Sequence, residues 1–151
     1  MRDKYEYEVG LTWKGERSGI MESSGLPSLE VSAPPEFAGQ PGRWTPEQLL
    51  VGATSSCLMT TFLAIAEFSK ITVSFFRAKA TGRLEKIAGE GYRFTEIHFV
   101  PEIGVSTHEV EKARRALAKA EKSCFVSNSL KATVSVEPVF VPVEAEEANK
   151  Q

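Results

Sequence analysis

The stretch Thr45-Pro46-Glu47-Gln48-Leu49-Leu50-Val51-Gly52-Ala53-Thr54-Ser55-Ser56-Cys57, running on to Phe68, opens with the features of a helix start. Thr45 suits the N-cap, Pro46 the first helical position, and Gln48 completes a Thr-x-x-Gln capping box. No charged residue stands between Glu47 and Glu67, and almost every side chain in between is small or apolar. A helix that is apolar on all sides belongs inside a protein or in an interface. The pattern therefore predicts a long buried central helix with Cys57 near its middle. Its length would suit a membrane span, but Gly52, Thr54, Ser55, Ser56, Thr60 and Thr61 make it too polar for one. No purely apolar stretch reaches the roughly 18 residues a span needs.

Upstream, the sequence reads as β structure. Tyr5-Glu6-Tyr7-Glu8-Val9 alternates; Leu11 and Trp13 continue the run, and Gly15 and Gly19 bracket a hairpin turn before Ile20 and Met21. Leu29 to Ala33 alternates again and stops at Pro34-Pro35. Residues 34 to 43 hold three prolines and two glycines and read as a loop.

Downstream, Ile71 to Leu84 and Tyr92 to Val100 are strand-like and joined by Gly89-Glu90-Gly91, a β-hairpin signature. Ser106-Thr107-His108-Glu109 is a second capping box, opening a helix to about Lys122. Its apolar stripe is Val110, Ala113, Leu117, Ala120 and Cys124, and Glu111 with Arg115 is spaced for a surface ion pair. Ala132 to Val136 alternates as a closing strand. Strands followed by helices indicate α+β, with helices packed on antiparallel sheet.

The 151 residues fit one domain, expected over residues 1–143, with a polar tail from Glu144 to Gln151. A net charge of −2 leaves no basic face for nucleic acid and no polycationic run for a membrane surface. The charged start, Met1-Arg2-Asp3-Lys4-Tyr5-Glu6, cannot serve as the apolar core of a signal peptide, so a cytoplasmic location is expected. Two cysteines in a reducing compartment read as buried thiols or as a transient redox pair. Two thiols without a His cluster cannot complete a zinc site; His98 and His108 read as strand and helix-start residues, and no metal or other cofactor is expected.

Cys57 and Cys124 both point inward on their helices. A bland core predicts that, and so does a sheltered dithiol. A reactive thiol must ionise near neutrality, and a nearby cation is the usual device. Arg17, in Gly-Glu-Arg-Ser-Gly, and Arg43, in Pro-Gly-Arg-Trp, are candidates, each also readable as a solvated turn residue. Glu47 is either a first-turn carboxylate or the group that orients an arginine over the thiolate.

Residues 45 to 57 resemble the proline-glutamate helix start and helix-borne cysteine of the OsmC/Ohr family of hydroperoxide reductases. Trp13-Lys14-Gly15 and the second cysteine, in Cys124-Phe125-Val126-Ser127-Asn128-Ser129-Leu130, fit as well, so the similarity runs over roughly residues 5 to 140. The resemblance implies antiparallel sheets wrapped around the central helix and an intertwined homodimer with active sites at the subunit interface. It makes Cys57 the peroxidatic thiolate, which becomes a sulfenic acid. Cys124 then resolves it to a disulfide, and a dithiol donor, a lipoylated protein or a small dithiol, reduces that bond. Arg17 matches the family's hairpin arginine and Glu47 the glutamate that holds it; Arg43 stands where some branches place the arginine. Two departures are visible. Phe125 follows the second cysteine where the family commonly has proline, and Thr54-Ser55-Ser56 replaces an alanine- or glycine-rich run. Phe62, Phe75, Phe76 and Phe125 are candidates for an apolar pocket wall favouring organic hydroperoxides. The alternative is a relative without peroxidase activity that binds a small apolar ligand at the dimer interface.

Overall fold

A computed structural model describes residues 2–144 of the chain; the part of the expected tail from residue 145 onward lies outside them. The chain divides into two compact units, residues 1–50 and 51–151.

The first unit is a three-stranded antiparallel sheet in the order β1 (Gly10–Gly15), β2 (Ser18–Glu22), β3 (Leu29–Ser32). The expected hairpin turns at Glu16-Arg17, where Gly15 and Glu16 both take positive φ, 108° and 49°. The alternation at Tyr5–Val9 does not join the sheet, and β1 starts only at Gly10. Tyr5, Tyr7 and Val9 are exposed, so no buried face rewards pairing there. Ser32 is the hub of this unit. Its hydroxyl accepts from Ser18 Oγ (2.9 Å) and the Gln40 N–H (2.9 Å) and donates to the Arg17 carbonyl (3.2 Å). The Ser32 N–H reaches the Trp44 carbonyl at 2.9 Å.

Helix α1 (Pro46–Phe68) begins as its capping box predicts. The Gln48 N–H donates to Thr45 Oγ1 and the Thr45 hydroxyl to Gln48 Oε1, both at 3.1 Å. By length and apolar composition α1 does qualify as a membrane span, against the expectation from its polar residues. Those residues weigh little because the helix absorbs their hydroxyls: Ser55 and Ser56 donate to the Gly52 carbonyl and Thr60 to the Cys57 carbonyl. Burial is also one-sided. Thr54, Leu58, Phe62 and Ala66, four residues apart, are buried, whereas Ala53, Ala64 and Phe68 remain exposed.

In the second unit α1 packs on a sheet made of the long hairpin β4 (Val73–Ile87) and β5 (Gly91–Val105), with β6 (Thr133–Val136) and β7 (Val139–Pro142) along the other edge of β5. The hairpin is antiparallel, whereas β6 and β7 run parallel to β5. Helix α2 (Val110–Ser123) makes the crossover that parallel pairing requires. Ile97, Phe99, Pro101, Ile103 and Val105 alternate into the face covered by the helices, burying Phe62 and Ala66 of α1 with Ala113, Ala116, Leu117 and Ala120 of α2. Gly82 admits this packing, since a Cβ there would stand 2.5 Å from Val51 Cγ2 and 2.8 Å from the Phe94 ring. The stripe predicted for α2 holds, with Ala116 added. The predicted Glu111–Arg115 pair does not: Glu111 meets Arg114 at 3.6 Å, and the Arg114 guanidinium also lies over the Phe140 ring. Ser106 opens the segment through its hydroxyl bond to Glu109 (2.9 Å), with a single 3-10 turn, Thr107–Glu109, before α2.

Candidate active site

Cys57 sits midway along α1, one residue before the buried Leu58, and is half-buried. Cys124 follows the last turn of α2, where the backbone leaves the helix in an extended conformation (φ −67°, ψ 115°), and is fully buried. Cys124 forms a small core with Leu58 and Phe99, against which Cys57, Phe76, Ala80, Val126, Val134 and Val136 pack. The two cysteines, 67 positions apart in sequence, thus come together in one apolar cluster. Thr61, one helical turn on from Cys57, brings its Oγ1 to 3.9 Å from the sulfur.

The two sulfurs are not equivalent. Burial opposes ionisation of Cys57, but the polar surroundings that Cys124, Thr61 and the 125–126 main chain provide outweigh it and leave the thiol more acidic than an ordinary one. Burial raises Cys124, and so does the neighbouring Cys57, with a negative charge there adding to the effect; Ser127 offsets this only in part. Of the two, Cys57 is therefore the more readily ionised thiol and Cys124 the less. Sequence reasoning missed Thr61, which its i, i+4 spacing from Cys57 could have revealed.

Phe76 packs against the cysteine cluster, its ring centroid 6.2 Å from that of Phe99 and 5.8 Å from that of Phe62, which belongs to the neighbouring core. Phe75 does not join them. It pairs with Gly104 on the opposite face of β4, its ring lies on that glycine, and the Arg77 guanidinium covers it at 4.6 Å. Arg77 is itself held by Glu102 through bonds of 2.9 and 3.0 Å. The Phe125 side chain is 84% exposed.

The other candidates belong to the first unit. Arg17 Nη1 donates to the Phe37 carbonyl at 2.7 Å. Arg43 pairs with Glu30 at 3.4 Å. Glu47 keeps Oε1 buried without a hydrogen-bond partner among the described residues, a condition that calls for an explanation in a native carboxylate. Both histidines are placed as expected: His98 lies on β5, between Ser135 Oγ (2.7 Å) and Glu137 Oε2 (2.9 Å), and His108 lies in the turn before α2. Among the described residues no group of three His, Cys, Asp or Glu side chains could hold a metal.

Cys57 thus lies half-buried on the central helix and Cys124 buried after α2, both in one apolar cluster. Residues 39–139 match the model of the OsmC-like protein family, and the chain belongs to that family. It is 28% identical over 144 residues to the protein YmaD of Bacillus subtilis, itself uncharacterized, covering 91% of this chain and 93% of that one. Among solved structures it is similar to an OsmC-like protein of unknown function from Vibrio cholerae (TM-score 0.82, 25% identity, 90% of this chain and 100% of that one). It is also similar to an organic hydroperoxide resistance protein, OsmC, from Legionella pneumophila (TM-score 0.70, 25% identity, 93% and 100%).

Proposed function

We propose that this protein is a thiol-dependent hydroperoxide reductase that prefers organic hydroperoxides. The observation that carries the reading is that Cys57 and Cys124 share one apolar cluster, the first thiol made more acidic and the second less. The Cys57 thiolate attacks the O–O bond of the hydroperoxide; the distal oxygen stays on sulfur as a sulfenic acid, and the other leaves, protonated, as an alcohol. The Cys124 thiol then attacks the sulfenic sulfur, water departs, and a Cys57–Cys124 disulfide remains, which protects Cys57 from further oxidation. An external dithiol, lipoylated or small, returns both thiols by exchange.

Organic hydroperoxides are favoured because Leu58, Phe76 and Phe99 make the surroundings of the sulfurs apolar, with the exposed Phe125 following Cys124 in the chain. Arg17, oriented by Glu47, is proposed as the cation that serves the thiolate, with Arg43 as the alternative; the unpartnered Glu47 oxygen supports a carboxylate awaiting a guanidinium. A homodimer in the cytoplasm completes the proposal, supported by the apolar side chains that α1 leaves exposed.

The test is intact-mass analysis of reduced protein after one equivalent of cumene hydroperoxide. The expected result is loss of two hydrogens as the disulfide forms, with Cys124→Ser instead gaining one oxygen on Cys57. Two thiols that stay reduced would overturn the reading. Equal turnover of cumene hydroperoxide and hydrogen peroxide would overturn the substrate preference alone.

A further inference from the structure

We propose that Ser135, His98 and Glu137 form a second reactive site on the outer side of the sheet, in which a serine, its base and an orienting carboxylate transfer and hydrolyse small activated acyl groups such as aryl esters. Strand periodicity brings the three together. Ile97 and Phe99 of β5 are buried against the helices, so His98 between them faces the other way. On β6, Val134 and Val136 pack against the cysteine cluster, which turns Ser135 outward. The parallel register sets Ser135 beside His98. The Glu137 N–H extends that ladder to the Phe99 carbonyl at 2.9 Å, so Glu137 shares the face of Ser135 two residues on.

The imidazole lies between the two side chains, with Nδ1 2.7 Å from Ser135 Oγ and Nε2 2.9 Å from Glu137 Oε2. An ionised carboxylate can only accept, so in the neutral ring Nε2 carries the proton. Nδ1 then keeps a lone pair, and the Ser135 hydroxyl donates to it. A serine bonded to a histidine whose far nitrogen is held by a carboxylate is set up for acyl transfer, an arrangement recognised by roles and geometry on any fold. Ser135 Oγ attacks the acyl carbon while its proton passes to Nδ1; the phenol leaves with that proton, and an acyl-serine remains. Water then attacks the acyl carbon, His98 takes a proton from it and returns it to Oγ, and the carboxylic acid departs. Glu137 steadies the imidazolium formed in each step through a charge-assisted bond. The His98 and Glu137 side chains are 37% and 71% exposed, so the site opens directly to solvent and suits short acyl groups.

The test incubates the full-length protein at neutral pH with an alkyl fluorophosphonate, which attaches to an activated serine through phosphorus and releases fluoride, and maps the labelled residues by mass. Ser135 should be labelled roughly a hundred-fold faster than the exposed Ser28, the acceleration a positioned base supplies. His98→Gln should remove that acceleration. Glu137→Gln, which alters only a solvent-facing carboxylate, should slow labelling roughly ten-fold, the effect of losing one hydrogen bond to a charge. With Cys57 blocked by iodoacetamide, Ser135→Ala should abolish the release of p-nitrophenolate from p-nitrophenyl acetate. Ser135 labelled no faster than Ser28, labelling equal in both variants, or ester cleavage indifferent to Ser135→Ala would overturn the inference and leave the three residues as a polar clamp between β5 and β6. Neither readout involves a hydroperoxide, so failure here leaves the proposed function standing.

Discussion

The two units of this chain are built on different physics. Residues 51–144 bury Phe62, Phe99, Ile97, Ile103 and Leu117 almost completely, and two apolar clusters hold the helices on the sheet. In residues 2–50 the buried positions are Gly19, Ser32, Pro34 and Thr45, while Leu11 and Trp13 stand 64% and 75% exposed. Three strands without a buried apolar face are marginal on their own. That sheet is held by hydrogen bonds such as those converging on Ser32, and its apolar side chains remain available for a second molecule. The two cysteines sit in the unit with a core, whereas the candidate arginines and Glu47 sit in the unit without one.

The sharpest way to break this contrast is to remove the chemistry while keeping the core. Cys57→Ser should lower hydroperoxide turnover roughly a thousand-fold or more, about 4 kcal/mol of barrier, with an unchanged melting temperature. A peroxide assay beside a thermal scan checks both. In the parent protein, alkylation of Cys57 should begin below the pH of an ordinary thiol, because its acidity is increased, and fade as acid reprotonates it. Cys124 should react only at higher pH, as mass mapping of labelled peptides would reveal.

Phe62→Ala should cost about 3–5 kcal/mol of stability by opening a cavity where no side chain can follow, measured by urea unfolding. A loss below 1 kcal/mol would mean that the second unit is not held by that core. Ser32→Ala should cost less, about 1–3 kcal/mol, by orphaning the Gln40 N–H and leaving the Arg17 carbonyl with the Ala33 N–H alone. Hydrogen exchange should place that loss in residues 10–32 and spare β4 and β5. The two arginines give the smallest effects. Arg17→Ala should reduce kcat/KM roughly ten-fold, as expected for one charged hydrogen bond. Arg43→Ala should change activity little and stability by no more than about 0.5 kcal/mol, because it breaks only a solvent-facing pair with Glu30. The reverse order would assign the thiolate's cation to Arg43.

Much of the second unit was legible because its signals are local. The Thr45–Gln48 box, the stripe on α2 and the Gly89–Gly91 hairpin each depend on residues within a turn or a strand of one another, and the structure follows all three. Partners that are distant in sequence were not legible. Alternation at Ala132–Val136 marks a strand without saying that it lies parallel to β5, and β7 went unseen because Pro138 interrupts the run. At Tyr5–Val9 a genuine alternation met no surface to pair with. At the site, both cysteines could be found from their helices, and the departure at Phe125 was visible.

The parallel seating of β6 and β7 has a consequence for the newborn chain. Once β4 and β5 have zipped together, β5 still presents an open edge of hydrogen-bonding groups. That edge stays unsatisfied until α2 and the residues after it have left the ribosome, at about 5–20 residues per second. Exposed edges of this kind recruit other strands. The charges strung along the hairpin, Arg83, Glu96 and Glu102 among them, therefore help to keep neighbouring nascent chains apart while the edge waits for Thr133–Pro142.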